Sequence, residues 1–326
     1  VELEKFADGR WGVQMPLSSG AFVYNFRVTA ENGDQIARLD DPSNPTMINE
    51  ATGIRSLSSM VYVPYDADKQ GTSTWADRSV ELPQANANKR GTVQTVSYTG
   101  ADGTEHGLAV YLPAGYDADR TEPYKVLYLS HGNSGDTYGN ELRWMNEGTV
   151  ANILDNLIAE GKTEPFIVVT MNNQQYKWKY SEIETDQINY IMPYVESHYN
   201  VSTTAEGRAY AGLSMGGATT SNMLMHHTEL FSYYGIWSYA NVNGAVGGAE
   251  GITSQSVRNH LSSLTVKPKI MLAAGNWDFG LAPVKTFGEN LSELGLDYSY
   301  LQVPAAHDWE CWQLIFANAA ENFLWK

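Results

Sequence analysis

The sequence predicts an α/β fold: a mostly parallel sheet of about eight strands with helices on both faces, preceded by a small β-sandwich module. Three observations carry this. From about residue 92 onward, short strand-like runs alternate with amphipathic stretches, the texture of a doubly wound sheet. Within that region "KVLYL" and "FIVV" are apolar throughout, as expected of strands covered on both faces. Before it, residues 1 to about 85 show only short alternating runs and turn signals, with no helical period.

In chain order, "GRWGVQMP", "AFVYNFRVTA" and "IARLD" read as strands, separated by "LSSG", "ENGD" and "DPSNP". The chain opens almost directly on a strand, so the leading strands of the front module are expected to be absent. Residues 66–91 are polar and broken by Gly and Pro, and read as a linker. The boundary falls at residues 85/86, giving a β module with its linker over 1–85 and an α/β domain over 86–326. The strands expected in that domain are "GTVQTVSYT", "GLAVYLP", "YKVLYLS", "PFIVVTM", "GRAYAG", "YYGIWSY", "KPKIMLAAG" and "DYSYLQV". The first two are joined by the hairpin-like "GADGTEHG". Between strands, "TVANILDNLIAEG" sets Val150, Ile153, Leu154, Leu157 and Ile158 on one helical stripe, with Gly161 as its stop. The last helix aligns Trp312, Ile315, Phe316, Ala319 and Phe323 in the same way.

Composition narrows the function. Of 326 residues 43% are apolar and 18% charged, so the chain is globular. Acidic residues outnumber basic ones 37 to 21, for a formal charge of −16, a field that repels nucleic acids and anionic membranes. No apolar run approaches the ~18 residues of a membrane span. The single Cys311 excludes an intramolecular disulfide. Twenty Tyr and nine Trp exceed what a core alone demands and suit sugar or aromatic ligands.

The chemistry centres on "AGLSMGG". Gly212-Leu213-Ser214-Met215-Gly216 fits G-x-S-x-G, and here a strand ends at Gly212 while a helix-compatible stretch starts at Gly216. Such an elbow strains the serine backbone, and flanking side chains would collide with the neighbouring strand and helix. Ser214 needs a base. His226 and His227 sit near a helix end, and His106, His198 and His260 lie in polar or helical surroundings. His307 differs, because it follows "DYSYLQV" and precedes the last helix, at the carboxyl edge of the sheet where ligands gather in open α/β folds. Asp278, in "GNWDFG" after the preceding strand, supplies the carboxylate that orients the imidazole. Its rival Asp308 is adjacent to the histidine and suits the N-cap of the last helix. Ser, Asp, His is the chain order of α/β-hydrolases. Oxyanion donors are expected from the Met215 amide and from "LSHGNSGD", with the Asn133 amide preferred and Gly132 its competitor. The His131 side chain is assigned no chemistry.

The blocks "VLYLSHGNSGD", "NILDNLIAEGKTEPFIVVTMNN", "AGLSMGGATT", "FSYYGIWS", "AAGNWD" and "HDWECW" resemble those of esterase D-like α/β-hydrolases over about residues 90–326. They most resemble carbohydrate esterase family one, which contains feruloyl and acetylxylan esterases. "DGRWGVQMPLSSGAFVYNFRV" followed by "DPSNP" is similar to the immunoglobulin-like module related to carbohydrate-binding family 48. The resemblance implies Ser214 as nucleophile, His307 as base and Asp278 as orienter, with no metal or organic cofactor. It implies a secreted enzyme that takes hydroxycinnamoyl groups off plant xylan, its partners being feruloylated or acetylated arabinoxylan and their oligosaccharides. An aryl acid needs an apolar slot, for which Trp144, Trp309 and Trp312 are the candidate walls, although Trp312 also falls on the core stripe of the last helix. Acetylxylan esterase, hydrolase of a thioester or siderophore ester, and non-catalytic carbohydrate-binding protein are the alternatives.

Overall fold

The computed structural model describes all 326 residues. The front module is a set of three antiparallel two-stranded ribbons: β1 (Glu4–Lys5) with β2 (Trp11–Gly12), β3 (Gly20–Tyr24) with β6 (Ser59–Val63), and β4 (Phe26–Thr29) with β5 (Gln35–Leu39). The run expected as one strand, "AFVYNFRVTA", divides at Asn25 into β3 and β4, which pair with different partners.

The eight expected strands of the second region all form and join one sheet. They are β7 (Thr92–Thr99), β8 (Glu105–Leu112), β9 (Val126–Ser130), β10 (Ile167–Met171), β11 (Arg208–Leu213), β12 (Tyr233–Trp237), β13 (Lys269–Gly275) and β14 (Ser299–Val303). Their spatial order is β14-β13-β12-β11-β9-β10-β8-β7. All neighbours are parallel except at the β7–β8 hairpin and the β8–β10 pair. Side chains alternate across the sheet, so Val126 and Tyr128 enter one core while Leu127 and Leu129 enter the other. The two cores hold 32 and 31 buried residues, so neither face is left to solvent. Every residue of β9 and β10 is buried, which explains the apolar runs "VLYL" and "IVV" within them.

Helix α1 (Val150–Ala159) buries Val150, Ile153, Leu154 and Leu157, and Gly161 beyond it takes φ 70°. Helix α2 (Met215–His226) follows β11, and α3 (Trp309–Asn322) follows β14. Asp308 caps α3 by accepting the Cys311 amide at 3.1 Å, the role its position predicts.

The polar stretch 66–91 is not a free linker. Arg78 and Glu81 are buried, and the guanidinium bonds Glu81, Glu310 and Gln313 at 2.5–2.8 Å. Glu81 also accepts the Ala21 amide of β3, and Asn156 of α1 donates to the carbonyls of Val80 and Leu82. Its buried charges are thus satisfied by partners in the fold, while most of the other residues of the stretch are exposed.

Candidate active site

Ser214 occupies the turn between β11 and α2 with φ 52° and ψ −118°. That region costs a residue with a Cβ about 1–3 kcal/mol. The flanking glycines are there for space: a Cβ on Gly212 would lie 2.6 Å from the Gly216 carbonyl, and one on Gly216 would lie 2.5 Å from the carbonyl oxygens of Ser130 and His131.

The carboxyl ends of three strands bring the predicted groups together. Ser214 follows β11, Asp278 follows β13 and His307 follows β14. His307 Nδ1 is 2.7 Å from Asp278 Oδ1, and its Nε2 is 2.9 Å from Ser214 Oγ. A carboxylate only accepts, so Nδ1 carries the proton and Nε2 is free to accept from the serine hydroxyl. The Asp278 side chain is fully buried, and the same Oδ1 accepts the Gly280 amide at 2.7 Å. The imidazole lies between Phe279, with ring centroids 4.0 Å apart, and the edge of Trp312 at 5.1 Å.

A cavity of about 750 Å³ opens over Ser214, and Asn133, Met215 and His307 line it. The Met215 amide is the first of α2, where helix geometry leaves it without an internal acceptor. The Asn133 amide also has no acceptor within the protein. Its orientation comes from a side chain that the sequence left idle. His131 is buried, and its Nε2 accepts the Asn173 amide at 3.1 Å, which puts the ring proton on Nδ1. Nδ1 donates to the Gly132 carbonyl at 2.6 Å. Across a planar trans peptide the Asn133 N–H points opposite to that carbonyl, away from His131. Burial first, and the nearby Arg143 charge second, lower the His131 pKa to about 3, so the ring stays neutral and keeps this tautomer.

The three tryptophans expected as walls are elsewhere. Trp144 is fully buried, packs against Trp309 and Trp237, and donates to the Ser130 carbonyl. Trp309 is buried in the same core. Trp312 is buried too, its indole donating to Ser238 Oγ, and it supports His307 from behind. None lines the cavity, because each lies on a helix face that the sheet covers. The walls are instead Trp178, Tyr239, Val246 and Phe279. Lys177 and Trp178 are consecutive residues at φ 50° and 59°, and the indole sits 5.2 Å from the His131 ring. Phe279 adjoins Asp278 in "GNWDFG", a signal that was available; Trp178 carries none. Of the other histidines, His106 is buried against Asp102 and His227 pairs with Glu184 and Glu229, and neither lines the cavity.

With this geometry in place, comparison settles the family. The Esterase family model matches residues 99–323. The chain belongs to that family. It is 32% identical over 189 residues to an endo-1,4-β-xylanase/feruloyl esterase of Xylanibacter ruminicola, an alignment covering 52% of this chain and 25% of the relative. Against endo-1,4-β-xylanase Y of Acetivibrio thermocellus it is 32% identical over 157 residues, covering 44% of this chain and 14% of that protein. The chain thus spans a quarter or less of the length of these two relatives. The structure of a ferulic acid esterase from Anaeromyces mucronatus in complex with ferulic acid superposes with a TM-score of 0.63 at 24% identity, covering 75% of this chain and 94% of that one. The sheet and its helices are therefore an α/β-hydrolase fold.

Proposed function

We propose that this esterase-family chain cleaves hydroxycinnamoyl esters, feruloyl above all, from plant cell-wall xylan through a covalent acyl-enzyme. The observation that carries the reading is the unbroken chain Ser214–His307–Asp278, with links of 2.9 and 2.7 Å, at the floor of an open cavity. Ser214 Oγ attacks the ester carbonyl while its proton passes to His307 Nε2. The amides of Met215 and Asn133 take the charge that develops on the carbonyl oxygen, each worth about 3 kcal/mol of barrier. The carbon–oxygen bond breaks and the sugar alcohol leaves with the proton from His307. Water, giving a proton to the same nitrogen, then attacks the acyl carbon; the bond to Ser214 Oγ breaks, His307 returns the proton to Oγ, and the acid is released. Asp278 holds the tautomer and offsets the imidazolium charge.

Two things support the acyl class. Trp178, Tyr239 and Phe279 give the cavity aromatic walls suited to an aryl acid, and the Xylanibacter ruminicola relative is named for feruloyl ester cleavage. The substrate polymer lies outside cells, so the reading carries secretion with it. Ser214→Ala tests the mechanism: hydrolysis of methyl ferulate is expected to fall by at least ~10³-fold with the fold intact by circular dichroism. Substantial residual turnover would defeat the assignment. Wild-type rates on methyl ferulate and on a short acetyl ester decide the acyl group, with faster acetyl release pointing to acetylxylan.

A further inference from the structure

The loop that carries Asp278 holds two large aromatic side chains out in solvent. Trp277 is 72% exposed and Phe279 is 68% exposed. Phe279 is accounted for, since it lines the cavity and stacks on His307. Trp277 is not. Its indole meets no aromatic ring, cation or hydrogen-bonding group of the fold, although an exposed indole of this size costs free energy in water. Nor does it ride on a loose tip. Asn276 donates to the Val303 carbonyl at 2.8 Å, Trp277 to the Ala305 carbonyl at 3.1 Å, and Gly280 to Asp278 Oδ1 at 2.7 Å. The indole is thus presented from a hydrogen-bonded loop.

We infer that Trp277 is a stacking platform for sugar rings of the glycan chain that carries the ester, forming a subsite just outside the cavity rim. This rests on the esterase reading above. Three features fix the occupant. Trp277 does not line the cavity, but it stands two positions from Phe279, which does, with Asp278 between them on one hydrogen-bonded loop. The chain's charge of −16 disfavours an acidic partner, whereas the CH face of a neutral sugar covers an indole without any charge. An ester on a polymer also needs its alcohol portion to leave the cavity along a surface, and a flat indole gives area at little entropic cost.

The test is Trp277→Ala, assayed on methyl ferulate and on feruloylated xylo-oligosaccharides of increasing length. On the longer oligosaccharides kcat/KM is expected to drop about tenfold, mainly through KM, as covering ~60 Å² of indole face implies. On methyl ferulate it should stay within twofold, and Trp277→Tyr should recover most of the loss. Equal loss on both substrates would make the residue part of the loop's scaffold and overturn the proposal, as would no loss on either. A change in sedimentation behaviour of Trp277→Ala, with unaltered kinetics, would assign the indole to contact between copies and overturn it too. If the wild type cleaves neither substrate, it is the esterase reading that fails.

Discussion

The His131 imidazole is wedged between two backbone groups: it accepts from the Asn173 amide and donates to the Gly132 carbonyl. Replacing it with Phe keeps the volume and removes both bonds, which frees the Gly132–Asn133 peptide to rotate. On an oxyanion this should cost kcat about 10- to 100-fold with little change in KM, because the lost interaction strengthens only as charge develops. His131→Asn places an amide near the position of Nδ1 and should recover much of the rate, an outcome that a purely space-filling histidine would not give. The same residue has a pH signature. Its folded-state pKa is lowered to about 3 by burial, against ~6.5 when unfolded, so between these values the unfolded chain binds the proton and the folded chain does not. Its contribution to stability is therefore complete above pH ~6.5 and declines as pH falls toward 3. The difference in unfolding free energy between wild type and His131→Phe, measured in urea, should shrink steadily from pH 7 to pH 4.

Two carboxylates next to one histidine separate at the level of elements. Asp278 leaves β13 and meets the His307 ring; Asp308 starts α3 and turns its oxygen to the helix amide of Cys311. Asp308→Ala should lower stability by about 0.5–2 kcal/mol and leave kcat within tenfold, while Asp278→Asn should cut kcat by about 10⁴ with a small change in stability. Thermal unfolding and kcat measured on both variants check the division; a reversal would exchange their roles. This much was legible because elbow, cap and strand ends are local patterns whose sterics repeat within a few residues. The aromatic walls were not. Trp144, Trp309 and Trp312 sit on helix faces that α1, α3 and the sheet bury, whereas Trp178 and Tyr239 reach the cavity from irregular segments with no periodicity to read. Strand β6 escaped for a related reason. Its five residues "SMVYV" pair with β3, some 40 positions earlier, and nothing nearby marks that partner.

Over the whole molecule, the stretch that reads as a linker is where the front module is fastened. Arg78 is 235 positions from Gln313, so its polarity looked like solvation, although the fold pairs it with nearby Glu81 and, across the module boundary, with Glu310 and Gln313. The Arg78–Glu81 pair is almost wholly buried, at 2% and 0% side-chain exposure, whereas Glu310 is 38% exposed and its share is screened. Burial raises the Glu81 pKa despite the opposing Arg78 charge. Arg78→Met would leave an uncompensated buried carboxylate, at a cost of about 3–5 kcal/mol, concentrated where β3 and α3 meet. The sign of the pH response follows. A carboxyl with a raised folded-state pKa supports the folded state while protonated and withdraws that support as pH rises, so the variant's deficit should be larger at pH 8 than at pH 5. Adding Glu81→Met should restore most of the loss, since removing both charges of a buried pair is nearly neutral while removing one is not. Thermal unfolding of the single and double variants at both pH values, with limited proteolysis reporting release of residues 1–85, checks the argument. A single variant as stable as wild type at pH 8 would mean that the front module is held by its apolar contacts alone.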